Sequence, residues 1–249
     1  MKRVKLVVAY DGTNYCGWQV QKNGETIESV LNRAIGELTG EEIHVMGSSR
    51  TDAGVHACGN VAVFDTEARM AADKFSYALN QRLPEDIRIQ DSCEVPADFH
   101  PRFQKTVKTY EYRILNREFP LPAYRFNSHF TYRKLDVERM RQAAAYLIGE
   151  HDFQSFCAAG AQVKTTVRTI YALDVEKQGD LIILRITGNG FLYNMVRIIA
   201  GTLMKIGQGD WEPERIPEIL AGCDRQLGGP TAPARGLTLM EIHFKGEKG

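Results

Sequence analysis

A cation and a carboxylate lie two residues apart in a polar segment between two apolar stretches of the chain. The segment reads Gly47-Ser48-Ser49-Arg50-Thr51-Asp52-Ala53-Gly54-Val55-His56-Ala57. A carboxylate can act as a nucleophile or a base where the surrounding fold keeps it ionised and excludes water. An ordinary turn is the alternative, since Asp followed closely by Gly favours turns. From composition alone, the turn is the stronger interpretation.

The composition is ordinary for a soluble globular protein, with 249 residues, 43% of them hydrophobic and 25% charged. The length suits one large domain or two smaller ones. No apolar run approaches the roughly 18 residues that a membrane span needs. The N-terminus shows no signal-peptide apolar region. We therefore expect a cytoplasmic protein without membrane segments.

The cysteines do not predict a metal centre. The five of them are scattered, and none forms a Cys-x-x-Cys pair, so neither a disulfide framework nor a zinc site is expected. The sequence has no phosphate loop, no dinucleotide fingerprint and no His/Cys cluster at metal spacing. No cofactor and no metal are expected.

The charges are balanced in sum but unevenly distributed. A net charge of zero argues by itself against a nucleic-acid-binding protein. From Arg102 to Arg117, however, five cations face the single acid Glu111, and a second basic stretch covers residues 125–141. A solvated face is an equally good interpretation. The basic stretches permit a phosphate-binding surface without establishing one.

The hydrophobic periodicity repeats one order of elements twice. The first half is predicted as a strand, a helix, two paired strands, a helix and a strand: Val4–Tyr10, a helix capped by Thr26 and continuing to Leu38, Ile43–Gly47, Asn60–Phe64, Asp73–Leu83 and Ile87–Val95. The second half repeats the order: Val107–Leu115, Met140–Ile148, Arg168–Glu176, Leu181–Thr187, Val196–Met204 and Thr238–Phe244.

This repetition predicts an α+β protein made of two ferredoxin-like (β-α-β-β-α-β) halves, each an antiparallel sheet packed by helices. The predicted domains are residues 1–103, which carry the Asp52 segment, and residues 104–249. We expect the active-site cleft to lie between them. The fold alone names no function.

Several separate motifs resemble one enzyme family. The stretch from Arg50 to Ala57 resembles the active-site loop of the A-type tRNA pseudouridine synthases, with Ser49 standing where many members have Gly. The other stretches that resemble the family's motifs cover nearly the whole chain, in the same order: residues 10–19, 79–84, 108–112, 149–153, 167–170, 190–197 and 232–237.

The resemblance implies an isomerase that detaches uracil from ribose and rejoins it through carbon, without a metal or cofactor. It implies that Asp52 is the nucleophile, and three routes stay open: attack on the anomeric carbon, attack on ring carbon 6, or removal of the ribose 2′ proton. Arg197 is the implied cationic partner of Asp52. Tyr110 is implied to stack on uracil and to help remove the proton from ring carbon 5. Arg50 is implied to hold the flipped base out of the stack.

The resemblance also implies a substrate and an assembly. The substrate would be uridine at positions 38, 39 and 40 in the anticodon stem-loop of tRNA, bound by a homodimer. His56 has no nearby Ser or Cys nucleophile, so we expect a structural hydrogen-bonding role for it. His151 and Asp152 are expected to cap a helix end and to pack the domain.

Two other functions are alternatives to an isomerase for this sequence. A non-catalytic RNA-binding module is one, because ferredoxin-like sheets often bind RNA, but no segment matches the RRM strand motif. A glycoside hydrolase is the other, but it would need two carboxylates flanking the sugar, and the segment around Asp52 offers only one.

Overall fold

A computed structural model describes residues 1–160 and 163–244, and over these the protein is a mixed α+β fold, as predicted. The chain divides into two compact units. The first consists of Met1–Lys105 together with the chain from Leu239 onward, and the second is Thr106–Thr238. The sequence predicts a boundary after residue 103 and assigns the closing strand to the second domain, whereas from Leu239 this strand groups with the first unit.

The first unit is a sheet with two helices: β1 (Lys2–Tyr10), α1 (Ile27–Thr39), β2 (Met46–Gly47), β3 (His56–Thr66), α2 (Phe75–Asn80) and β4 (Ile87–Val95). Strand β1 lies between β4 and β3 and runs antiparallel to both. Strand β2 pairs antiparallel with β3, and the closing strand β10 (Leu237–Phe244) also lies beside β3. Every second residue of β1 from Val4 to Tyr10 is buried, so one face of this sheet belongs to the core.

Helix α1 begins where the sequence predicts. The side chain of Thr26 accepts a hydrogen bond from the backbone N–H of Ser29, and the Ser29 hydroxyl accepts one from the backbone N–H of Thr26, which completes a capping box. The helix ends at Thr39 and is followed by the capping residue Gly40, whose φ of 74° lies in the left-handed region that favours glycine. The predicted N-cap is therefore confirmed.

Two predicted elements of this unit are shorter than expected. Of the strand expected over residues 43–47, only β2 pairs with β3. The helix expected over residues 73–83 is α2, preceded by a single 3-10 turn. It ends at Asn80, whose side-chain amide exchanges two hydrogen bonds of 2.8 Å with the backbone of Ile89 in β4. These contacts bind the helix end to the sheet.

The second unit has more elements than predicted: β5 (Thr106–Asn116), β6 (His129–Thr131), α3 (Val137–Ala145), β7 (Gly149–Asp152), β8 (Val167–Gln178), β9 (Leu181–Gly188), α4 (Met195–Gly207) and α5 (Arg215–Gly222). Its sheet has the order β5-β9-β8-β7 with antiparallel neighbours, and β6 pairs parallel with β5. The predicted hairpin turn between β8 and β9 is confirmed, with Gly179 at a φ of 61°.

The predicted extent of the first helix in the second unit is wrong. Helix α3 ends at Ala145, and Ile148, expected on its buried stripe, is 45% exposed. Gly149 then turns the chain with a φ of 111° and starts β7. His151 and Asp152 consequently pair with β8 as strand residues. Their side chains still bind main-chain groups on either side: the His151 Nε2 lies 3.0 Å from the carbonyl oxygen of Ile148, and the Asp152 carboxylate accepts from the backbone N–H of Gln154 at 3.0 Å. Among the described residues, no helix is both long enough and apolar enough to cross a membrane.

Candidate active site

Asp52 starts a tight turn in the loop between β2 and β3, here called the Asp52 loop (residues 48–55). The backbone N–H of Val55 donates to the carbonyl oxygen of Asp52 at 3.1 Å, and Gly54 has a φ of 75°. Thr51 and Val55 on either side are buried, at 8% and 2% exposure, while Asp52 is partly exposed. Both ends of the turn are thus anchored in the core, which restricts the position of Asp52 between them.

Two glycines of the segment after β1 lie directly against this loop. A Cβ atom on Gly12 would lie 2.1 Å from the carbonyl oxygen of Val55. A Cβ atom on Gly17 would lie 2.7 Å from the carbonyl oxygen of Thr51, and Gly17 also has a φ of 86°. Both positions therefore require glycine, because any side chain would push the loop away.

Trp18 supports the start of the same loop. Its side chain is fully buried, and its backbone N–H donates to the carbonyl oxygen of Thr51 at 3.0 Å. A Cβ atom on Gly47 would lie 2.3 Å from the Trp18 ring, so the indole packs against a position that only glycine can occupy. A large aromatic surface thus fixes the strand from which the loop departs.

A buried network of polar side chains holds the middle of the loop. The hydroxyl oxygens of Tyr10 and Thr51 lie 2.7 Å apart. The side-chain amide of Asn60 donates to the Tyr10 hydroxyl at 3.2 Å and to the carbonyl oxygen of Ser49 at 3.0 Å, and its oxygen accepts from the backbone N–H of Ser49 at 3.3 Å. Polar groups buried this deeply rigidify a structure when each finds a partner.

His56 follows the loop and is buried at its base. The backbone N–H of Gly12 donates to the His56 Nδ1 at 3.1 Å, which requires that nitrogen to be unprotonated. The Asp11 carboxylate lies 3.1 Å from the same nitrogen and would pair with its protonated form. Burial alone would raise the pKa of Asp11, but the hydrogen bonds that its carboxylate accepts from Thr13 help to lower it overall. These contacts fit a residue that links β3 to the segment after β1.

Two arginines lie close to the start of the loop. Arg50 is exposed, and Arg102 donates from its Nε to the carbonyl oxygen of Gly47 at 2.8 Å. Desolvation lowers the pKa of Arg102, the charge of Arg50 lowers it further, and Glu28 opposes both. Two like charges this near each other make an electropositive surface beside Asp52, which suits a phosphate.

Tyr110 belongs to the second unit, on β5. It lies opposite Ile186 of β9 and is partly buried. The ring of Phe191 meets its ring edge-on, with centroids 5.2 Å apart and planes at 84°. Phe191 therefore fixes the plane of the Tyr110 ring.

Arg197 also lies in the second unit, in the first turn of α4, as predicted. Its Nε donates to the carbonyl oxygen of Ala232 at 2.7 Å, and a terminal nitrogen donates to the Asn194 side chain at 2.8 Å. The backbone N–H of Ala232 donates in return to the carbonyl oxygen of Arg197 at 3.1 Å. Because these bonds orient the guanidinium, Arg197 is not a freely solvated helix residue.

Comparison with known proteins now decides the family. The family model described as tRNA pseudouridine synthase matches residues 6–104 and 143–245. The chain belongs to this family. It is an enzyme of the isomerase class. Proteins named tRNA pseudouridine synthase A are 48% identical in Acetivibrio thermocellus, 49% in Ruminiclostridium cellulolyticum and 50% in Brevibacillus brevis, each over 98% of this chain and the whole of the relative.

Membership in the tRNA pseudouridine synthase family decides between the functions left open by the residues alone. Because the family's enzymes are isomerases, both a non-catalytic RNA-binding module and a glycoside hydrolase are excluded as the function. Within the described residues, no group of three or more His, Cys, Asp or Glu side chains is placed to hold a metal ion.

The residues that position the Asp52 loop were not predicted from the sequence, although the candidate chemical groups of this synthase family member were named there. Tyr10, Gly12, Gly17 and Trp18 lie within a motif that resembles the family, yet no role was predicted for any of them. Asn60 was missed entirely. In the sequence, Asn60 is only a polar residue in an apolar strand. That its amide is fully buried, which marks it as important, is visible only in the folded chain.

Proposed function

We propose that this protein is a tRNA pseudouridine synthase that isomerises uridine in the anticodon stem-loop of tRNA, with Asp52 as its nucleophile. The observation that carries the proposal is the Asp52 turn, in which a partly exposed acidic residue lies between buried neighbours that hold the main chain. A nucleophile needs this combination, because the reacting atom must be reachable and its position must vary little.

The reaction conserves every atom of the base and ribose apart from one exchanged proton. The bond between uracil N1 and the ribose C1′ breaks, the ring turns, and C5 bonds to C1′. N1 gains a proton, and C5 loses its proton to solvent. Asp52 acts by one of three routes: attack on C1′, attack on C6, or removal of the 2′ proton.

Three further residues complete the proposed machinery. Arg50, exposed next to Asp52, occupies the space that the flipped uridine leaves in the stack. Tyr110 stacks on uracil and accepts the C5 proton. Arg197 keeps Asp52 ionised, because a nearby cation lowers the pKa of a carboxylate. The roles of Tyr110 and Arg197 are inferred from the sequence resemblance. The hydrogen bonds that orient Arg197 and the ring contact that orients Tyr110 support them.

The activity is tested with transcribed tRNA that carries tritium on uracil C5. Isomerisation releases one tritium to water per uridine converted and leaves no free uracil. Free uracil in the medium would instead indicate hydrolysis of the glycosidic bond. Absence of tritium release from every tRNA offered would overturn the proposed function.

The proposed positions are 38, 39 and 40, and they need a separate test. A tRNA with cytidine at all three positions keeps its other uridines and should release no tritium. Restoring uridine at one position at a time should restore release for that position alone. Release from the fully substituted tRNA would place the reaction elsewhere in the molecule.

No metal ion or cofactor is needed for this chemistry, since the reaction is neither a redox step nor a transfer that consumes ATP. We expect full turnover in EDTA with a prefolded tRNA. An activity lost to chelation and restored by one divalent ion, on a tRNA shown to stay folded, would contradict a metal-free mechanism.

We also propose a homodimer, a cytoplasmic location, and two ferredoxin-like halves as the domains. In the first unit, the antiparallel order β4-β1-β3-β2 supports the ferredoxin-like proposal.

The homodimer is tested by light scattering during size-exclusion chromatography, which reports the mass in solution. A mass near the 28.0 kDa of one chain would contradict the homodimer.

A further inference from the structure

A turn at the end of the first unit presents an exposed aromatic ring. His100 and Phe103 are the first and last residues of this turn, and the Phe103 N–H donates to the His100 carbonyl oxygen at 3.2 Å. Their rings stack with centroids 4.0 Å apart and planes at 22°. Phe103 is nevertheless 83% exposed, more than any other aromatic side chain in the described part of the chain. One face of the ring packs on His100, and the other faces solvent.

Local contacts constrain the His100–Phe103 turn. Pro101 stands at its second position, where a fixed φ favours a turn. The backbone N–H of Arg102 donates to the His100 Nδ1 at 3.2 Å, which orients the imidazole beneath Phe103. Phe99, just before the turn, meets Phe244 edge-on at 5.2 Å. These contacts constrain the aromatic pair, and such preorganisation lowers the entropy cost of binding.

The same turn is attached to the start of the Asp52 loop. The Ser48 hydroxyl donates to the carbonyl oxygen of Pro101 at 2.9 Å. The Arg102 guanidinium donates to the carbonyl oxygen of Gly47 at 2.8 Å. Gly47 directly precedes the Asp52 loop and Ser48 is its first residue. The His100–Phe103 turn and the Asp52 loop are therefore joined within the first unit.

Charge identifies the partner that this surface fits. Arg102 adjoins Phe103 in the chain and is anchored to Gly47, and the charge of Arg50 acts on it, opposed by Glu28. Cations next to an exposed aromatic face match the phosphates and bases of single-stranded RNA. A protein partner would need a larger apolar patch than one ring.

We propose that the exposed face of Phe103 stacks on an unpaired base of the bound tRNA, while Arg102 contacts the adjoining phosphate. This base-stacking subsite rests on the proposed function, because it takes the tRNA to be the substrate. It adds a contact that holds RNA beside the Asp52 loop without taking part in bond making or breaking.

The test replaces Phe103 and measures tRNA affinity separately from chemistry. Phe103→Ala should weaken tRNA binding about tenfold or more, the range seen when a stacked base loses its aromatic partner. The single-turnover rate at saturating tRNA should stay within about twofold of wild type, since the ring touches no reacting atom. Phe103→Tyr should bind like wild type, whereas Phe103→Leu, apolar but not flat, should resemble the alanine variant.

Tyr77 provides the matched control, because it is an aromatic residue of the same unit at 70% exposure. Tyr77→Ala should leave tRNA affinity unchanged. Phe103→Trp offers a direct readout, since a stacked indole should lose fluorescence when tRNA binds, and the same change at Tyr77 should not.

Three results would overturn the subsite: unchanged affinity in Phe103→Ala, full affinity in Phe103→Leu, or a loss of oligomeric mass in Phe103→Ala. The last would show that the ring contacts a second copy of the chain. Binding is measured without turnover, so a failure of the subsite remains distinct from a failure of the proposed reaction, which would appear as absent tritium release by the wild-type protein.

Discussion

The hydroxyl oxygens of Tyr10 and Thr51 lie 2.7 Å apart in the core of the first unit. Tyr10 is the last residue of β1, and Thr51 immediately precedes Asp52. Asn60 of β3 donates to the same Tyr10 hydroxyl at 3.2 Å. Two neighbouring core strands therefore determine the backbone position from which the Asp52 carboxylate projects.

Tyr10→Phe should lower kcat more than it raises KM. The change keeps the ring but removes the hydroxyl, so Thr51 and Asn60 each lose a buried partner, at a cost of about 1–3 kcal/mol in stability. The loop then has more freedom, and small displacements of a reacting group reduce the rate steeply. Denaturant unfolding and single-turnover kinetics measure the two effects.

Tyr15→Phe is the matched control for that change. The Tyr15 hydroxyl is also engaged, but it donates at 2.6 Å to the carboxylate of Asp86, which directly precedes β4 and does not belong to the Asp52 loop. This variant should lose a similar amount of stability and keep its kcat. Equal losses of kcat in both variants would mean that the Tyr10 hydroxyl acts through general stability alone.

Gly17→Ala should disturb the Asp52 loop, whereas Gly40→Ala should not. Both glycines have a positive φ, of 86° and 74°, so alanine costs each about 1–2 kcal/mol of backbone strain. At Gly17 the new Cβ would also lie 2.7 Å from the Thr51 carbonyl oxygen, while at Gly40 nothing lies within 4 Å. We expect Gly17→Ala to lose at least tenfold in turnover beyond Gly40→Ala, and comparable rates would exclude the proposed packing role.

Asp52→Asn should abolish turnover and leave tRNA binding within a few-fold of wild type. The amide keeps the size of the carboxylate but cannot attack or accept a proton in any of the three routes, so the loss should be many orders of magnitude. Phosphate contacts made elsewhere should preserve affinity. Tritium release and tRNA binding are compared after circular dichroism confirms the fold. Asp73→Asn, at a carboxylate outside the loop, is the control, and a tenth of wild-type turnover in Asp52→Asn would refute the nucleophile.

Tyr110→Phe should slow turnover with tRNA affinity little changed. The ring and its edge contact with Phe191 remain, but the phenolic oxygen proposed to accept the C5 proton is lost. Single-turnover tritium release measures the chemical step directly. If phenylalanine supports the same rate as tyrosine, only the stacking role survives.

Local patterns in the sequence were enough to predict much of the secondary structure. The capping box of Thr26 and Ser29 lies within four residues, and strand β4 follows from alternating apolar residues. The end of α3 and the strand β7 were not predictable in this way. Ile148 continues the helical spacing in the sequence, but β7 forms through hydrogen bonds to β8, which begins at Val167.

The sequence by itself determined the family and the candidate groups Arg50, Asp52, Tyr110 and Arg197, because their chemistry depends on residue type within a recognisable motif. Only the tertiary structure decided how the Asp52 loop is held. Gly12 and Gly17 contact the loop from a segment far before it in the chain, and Asn60 contacts it from the strand that follows; these contacts depend on close approach between backbones and on burial. Neither can be read from residue types, because both arise when separate strands pack together.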